Sequence, residues 1–120
     1  MMTIEQQKII RLKGNETQKL LVVCSGSEKR ELTIELAGVG AAVQVYGLFF
    51  GTDSDIIELS VAVTHAVPHT TSEILLIGAL AGRAEASVKG SIVIAPGAEK
   101  SDGREEIKTL LLSPEARIRT

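Results

Sequence analysis

The chain has 120 residues, with 13 Lys or Arg against 15 Asp or Glu and a single cysteine. That length suits one domain with its own core, and a net charge of -2 offers nucleic acid or an anionic membrane little to attract. No window approaches the ~20 apolar residues of a membrane span, and the opening MMTIEQQKIIRLKG lacks a signal-peptide apolar core. One cysteine excludes an internal disulfide, so a soluble cytoplasmic protein is expected.

Hydrophobic residues make up 44% of the chain, yet only Tyr46, Phe49 and Phe50 are aromatic. A core of Val, Ile, Leu and Ala packs as small branched units in thin layers. Such residues favour strands, and 11 glycines supply corners. An all-β solenoid fits this composition better than a sandwich built around large rings.

In chain order, Thr3 to Lys13 reads as a first strand or edge cap, with Gly14-Asn15 as a turn. Gln18 to Ser25 is an apolar run that breaks at Ser25-Gly26-Ser27. Glu31 to Leu36 alternates, with Leu32, Ile34 and Leu36 on one face, and Gly38 and Gly40 mark a corner. Val43, Val45, Gly47 and Phe49 share a face opposed by Gln44, Tyr46, Leu48 and Phe50. After a polar turn from Gly51 to Asp55, Ile57, Leu59, Val61, Val63 and His65 run in phase, which puts His65 on the buried side.

Pro68 breaks the ladder because it has no N–H to donate. Glu73 to Leu80 is a new run, and Gly82-Arg83 a corner. Ala86, Val88, Gly90, Ile92 and Ile94 then alternate against Ser87, Lys89 and Ser91 until Pro96-Gly97. The tail from Glu99 reads either as an amphipathic helix broken at Pro114 or as a polar turn before a short Leu110–Leu112 strand.

Leu36, Leu59 and Leu80 end comparable runs 23 and 21 residues apart, and Gly47 and Gly90 lie 43 apart. A repeat of about 20 to 25 residues would be one solenoid coil. The rival is a β-sandwich of hairpins, for which Asp102-Gly103 is the one two-residue turn signal, between charged flanks. The expected organisation is one domain over 1–120, with a cap or first coil at 1–30, main coils at 31–113 and a tail at 114–120.

The chemistry-bearing residues are few. His65 and His69, four apart, would face one way if the strand continued through them, but Pro68 argues against it. The reading is one histidine satisfied at a corner and one solvated, with a metal-ligand pair as the alternative. Cys24 lies in an apolar run with nothing nearby in sequence to lower its pKa, so it reads as buried and inert rather than as a ligand. Ser72 lacks a nucleophile-elbow context. The glycine pairs Gly78/Gly82 and Gly38/Gly40 read as corners rather than phosphate loops. Glu31, Glu35, Glu105 and Glu106 read as outer-face charge. A metal-dependent enzyme would need more His and Glu ligands than this chain offers. The residues alone define a soluble β-rich domain with no evident enzymatic constellation.

From His65 onward the chain resembles the SufB/SufD family of iron–sulfur cluster assembly proteins. The likeness is carried by the corner His65-x-x-Pro68-x-Thr70-x-Ser72 and the strand Gly90-Ser91-Ile92-Val93-Ile94. Ala98-x-Lys100-Ser101-Asp102 and the stretch Leu110-Leu111-Leu112-Ser113-Pro114-Glu115-Ala116 continue it. The resemblance implies a right-handed parallel β-helix and a non-enzymatic, SufD-like scaffold role. It implies SufB-like and SufC-like ATPase partners and leaves room for a transient iron–sulfur cluster. On residue chemistry alone the candidate ligands here are Cys24, His65 and His69, while the family's cluster-assembly residues belong to later segments. The open ends of such a solenoid would also let copies associate. Val88, Glu105 and Ile107 depart from the family pattern. The sequence reaches Thr120 before the family's later strand, its His-Gly segment and its C-terminal helices, to which ATPase docking belongs.

Overall fold

A period of two sends alternate side chains to opposite faces of a strand, and the alternating runs form strands throughout. The computed structural model describes residues 2–4 and 7–120. Glu5 and Gln6, inside the first predicted strand, lie outside the described residues. The strands are β1 (Met2–Ile4), β2 (Gln7–Leu12), β3 (Thr17–Ser25), β4 (Glu28–Leu36) and β5 (Ala42–Gly51). They continue as β6 (Ile56–His65), β7 (Thr71–Leu80), β8 (Glu85–Ile94), β9 (Asp102–Leu111) and β10 (Arg117–Arg119).

Odd-numbered strands make one five-stranded sheet, β1-β3-β5-β7-β9, and even-numbered strands the other, β10-β8-β6-β4-β2. Every pairing is parallel and in register. The chain therefore passes from sheet to sheet and climbs one rung per turn, as an all-β solenoid with no helix among the described residues. A hairpin sandwich is ruled out, since Asp102-Gly103 opens β9 instead of turning back. The body measures 45 × 21 × 17 Å. Its long dimension follows the strands, and its thickness is two sheets about 10 Å apart.

Three sequence expectations are corrected. A repeat of 20 to 25 residues holds only near the start, where Gln7 pairs with Glu31, a step of 24 residues. Later coils are longer: Ile56 pairs with Glu85, a step of 29, and Thr71 with Asp102, a step of 31. Leu36 aligns with His65, Leu59 with Val88 and Leu80 with Leu111, so the three leucines mark no common position. Any branched or small residue fits an inward slot, so residue identity does not report the coil. The tail is neither a helix nor a three-residue strand, because β9 runs ten residues and residues 117–119 pair with β8. Gly78 is not a corner: it lies within β7, where a Cβ would overlap the Phe49 ring stacked beside it.

Inward rows from both sheets form one core that includes Leu20, Ile34, Val45, Phe49, Ile57, Val63, Ile74 and Leu80. Corners recur because the chain must reverse within a few residues, and most use a left-handed residue. Asn15, Gly40, His69 and the pair Gly97 and Lys100 take that role on one lateral side, and Gly26, Asp53 and Gly82 on the other. At Gly38 the corner lies against the Gly14 backbone, closer than a Cβ would allow.

On the last rung the inward residues Ile92, Ile107 and Ile118 are only partly buried. Glu105, expected on an outer face, shares the inward register of Ile74, and its carboxyl reaches over Gly90, whose missing side chain leaves the space.

Candidate functional site

The H-x-x-P-x-T-x-S segment builds a corner around a buried imidazole. His65 ends β6 pointing inward and is fully buried. The chain then turns through Ala66–Pro68, His69 reverses it with φ 59°, and β7 begins. This returns Thr70 and Ser72, both buried, to the two nitrogens of the same ring: Nδ1 lies 2.8 Å from Thr70 Oγ1 and Nε2 lies 2.8 Å from Ser72 Oγ.

The next rung closes the network. Thr70 Oγ1 donates to the Val67 carbonyl at 3.2 Å and lies 2.9 Å from Ser101 Oγ. With that hydroxyl proton directed at Val67, Thr70 accepts from Nδ1–H, and the Ser72 hydroxyl donates to Nε2. His65 is thus a neutral imidazole with both nitrogens satisfied. Burial holds its pKa below the ordinary histidine value, against a hydrogen bond with the Thr70 backbone and the nearby Asp102 carboxylate, which both raise it.

Ser72 beside His65 is not arranged as an activated nucleophile. The far nitrogen meets a hydroxyl instead of a carboxylate, and the Gly103 backbone packs over the pair. A Cβ at Gly103 would lie 3.1 Å from Ser72 Oγ and 3.3 Å from His65 Nε2. The corner locks β6, β7 and the approach to β9 together.

His69 is exposed, and its backbone does the work: its N–H donates to the Glu99 carbonyl at 3.0 Å and its carbonyl accepts from Gly40 N–H at 3.1 Å. Cys24 lies near the end of β3, toward the opposite lateral edge from His65. It shares a column with Phe49 and Gly78, whereas His65 touches Ser72, so the two are separated by roughly 20 Å of strand at ~3.3 Å per residue. Cys24 is fully buried, and its thiol is pushed up to about 11 by burial and the Glu28 carboxylate, with Arg30 acting the other way. Iron–sulfur ligation wants convergent thiolates, whereas here Cys24 is a protonated thiol remote from the corner, His65 is hydrogen-bonded at both nitrogens and His69 is exposed. These three residues do not form a cluster site within one chain. Among the described residues no group of three or more His, Cys, Asp or Glu is placed to hold a metal ion.

Inertness of the thiol is measurable. In the folded protein Cys24 should react with a disulfide-exchange reagent at neutral pH at least ~100-fold more slowly than in denaturant, since only the thiolate attacks. Equal rates in both conditions would contradict the buried, protonated thiol.

Residues that sequence reasoning missed are Ser101, which ties the fourth corner to the third, and Arg30, which points inward beside Cys24 and pairs with Glu28 at 3.1 Å. Ser101 had a signal in the Lys100-Ser101-Asp102 stretch. Arg30 had none, because a charged residue at a strand start reads as solvated.

The fold and corner define a parallel β-solenoid of two facing sheets whose turns are locked by a buried histidine. Residues 5–120, nearly the whole chain, match the family described as SUF system FeS cluster assembly, SufBD core domain. The chain belongs to that family, and so to the iron–sulfur assembly machinery of the SUF system, among whose components its partners are found. No curated protein and no solved structure matched the chain. No helix of the described residues is long and apolar enough to cross a membrane.

Proposed function

We propose that this chain is a non-enzymatic, SufD-like scaffold subunit of a cytoplasmic SUF assembly complex. In this reading it works beside a SufB-like protein and a SufC-like ATPase, and any cluster is cargo held jointly with a partner. The observation that carries the reading is the family match over 5–120, which spans the solenoid from before β2 to β10. The chemistry of the side chains supports it: His65, Thr70, Ser72 and Ser101 consume one another's hydrogen bonds, which suits a rigid frame better than turnover.

A second reading, a solenoid that only holds other proteins and binds no cluster, is favoured by the last rung. There β10 pairs with residues 85–87 of β8, and among the described residues 88–94 pair only on the β6 side. An open parallel edge is a template for a partner strand.

Anaerobic reconstitution with iron and sulfide separates the two. The test compares the chain alone, the chain with a SufB-like partner, and the Cys24→Ala and His69→Ala variants of each. The scaffold reading expects visible-range absorbance only in the mixture, with more iron and sulfide than the partner alone retains. Co-purification with no added iron would leave the holding role. A mixture that neither copurifies nor gains iron would remove both.

A further inference from the structure

The two sheets present unlike faces to the outside. The β2-β4-β6-β8 sheet is mostly polar there: Lys29, Glu31, Glu35, Glu58, Ser87 and Lys89 point out, with ion pairs such as Lys29–Glu31 at 3.6 Å, and its exposed apolar residues Ile9, Ile56 and Val93 are scattered rather than stacked. On the other sheet the outward residues of β3, β5 and β7 stack in register as three largely apolar columns, which meet Glu106, Lys108 and Leu110 on β9. Leu21 lies beside Tyr46 and Leu75, Val23 beside Leu48 and Ile77, and Ser25 beside Phe50 and Ala79. Phe50 is 47% and Ile77 39% exposed. Parallel strands whose two faces are both apolar are characteristic of sheets covered on both sides. One further column, Lys19–Gln44–Glu73, borders the block with a charge of each sign and continues on β9 as Arg104.

We infer that this sheet face is a self-association surface, on which two copies pack face to face about a two-fold axis that lies between them, parallel to β5. That operation reverses the order of rungs and keeps each column. It lays β3 of one copy over β7 of the other, so Leu21 meets Leu75, Val23 meets Ile77, and Tyr46 and Leu48 meet their own counterparts.

The same operation sets Lys19 of each copy opposite Glu73 of the other. Across β3, β5 and β7 the pattern is self-complementary twice over, in apolarity and in charge, as an isologous interface requires. Strands stay aligned across the interface, the arrangement by which sheets stack ~10 Å apart. The whole five-stranded face measures roughly 33 Å by 20 Å, about 700 Å², near the ~800 Å² that each partner contributes to a standard stable interface, with the three-strand apolar block as its centre and the charged β9 at its rim. An apolar centre with a charged rim is the usual anatomy of such a surface. This surface is separate from the rung ends considered above, and it leaves both of them open.

The test uses sedimentation equilibrium of the full chain with two charge reversals, Lys19→Glu and Glu73→Lys, and one apolar change, Ile77→Lys. All three side chains point to solvent in a single copy, so circular dichroism and thermal midpoints should stay near wild type. The wild type is expected to be a dimer. Each charge reversal alone should raise the dimer dissociation constant at least about tenfold, because like charges then face each other at both rim pairs. Ile77→Lys should abolish the dimer.

A 1:1 mixture of the two reversed variants should dimerise again. The carboxylate introduced by Lys19→Glu in one copy then faces the ammonium introduced by Glu73→Lys in the other, and the second rim pair keeps its native charges. A wild type that stays monomeric would overturn the inference. So would a dimer indifferent to all three changes, which would locate association at the rung ends, or a mixture that does not recover.

Discussion

Phe49→Ala should lower the unfolding free energy by ~3–5 kcal/mol in chemical denaturation, the range for truncating a fully buried aromatic. Phe49 is the largest fully buried side chain and lies between Cys24 on one rung and Gly78 on the next. The ring crosses into the neighbouring rung's inward slot, which is open only because Gly78 has no Cβ. Gly78→Ala should therefore also destabilise, by ~1–3 kcal/mol of overpacking. Within a Phe49→Leu background the same alanine should cost clearly less, because the atoms it meets have been removed. A double-mutant cycle measures this directly. Additive effects would show that ring and glycine do not share one slot.

The second large effect is expected at the corner. His65→Leu removes the group that satisfies the buried Ser72 hydroxyl and one partner of Thr70, and should cost ~2–4 kcal/mol. Adding Ser72→Ala should return part of that loss, because removing both members of a buried polar pair costs less than orphaning one. A double variant less stable than His65→Leu would argue against the pairing.

The corner also carries a pH dependence. Burial lowers the folded-state pKa of His65 below the value near 6.5 that the unfolded chain keeps. Between those two values the unfolded state binds the extra proton, so ν of the unfolded state exceeds that of the native state and stability rises with pH. The stabilisation is complete above the unfolded value. It falls away as the pH drops through ~6.5, and the fall levels off below the depressed folded value. Denaturation midpoints of wild type and His65→Leu, followed from about pH 8 to about pH 5 on the scale set by that titration, should converge at the acid end. Parallel curves would mean that His65 does not titrate between folded and unfolded states.

Much of the strand pattern is legible in the chain because a period of two is a local property. Leu32, Ile34 and Leu36, or Ile57 through His65, declare an inward face without reference to any other strand, and both rows are buried as read. The scarcity of aromatic residues and the spread of glycines point to thin layers and repeated corners. The burial of His65 follows from its phase, and the family likeness rests on residues of the same corner.

What the sequence by itself could not decide is which residues meet between rungs. Pairing joins positions from 18 apart, at Met2 and Leu20, to 32 apart, at Glu85 and Arg117. The corners differ in length, so no fixed spacing connects Ile56 with Glu85 or Thr71 with Asp102. The left-handed residues are glycine at Gly26, Gly40, Gly82 and Gly97 and turn-forming Asn15 and Asp53, but His69 and Lys100 carry no composition signal. Gly78 read as a corner because glycine usually is one; only the Phe49 ring from the adjacent rung explains it. Glu105 read as surface charge because nothing local shows that it shares the inward register of Ile74.

The separation of Cys24 from His65 was equally hidden. Both lie near strand ends, but on sheets that run in opposite lateral directions, and only the closed coil puts those two ends toward opposite edges. Local chemistry determined which residues form strands and which way they face. The register between turns decided what each buried side chain touches, because in a parallel solenoid those contacts come from the turns above and below, not from neighbours in the chain.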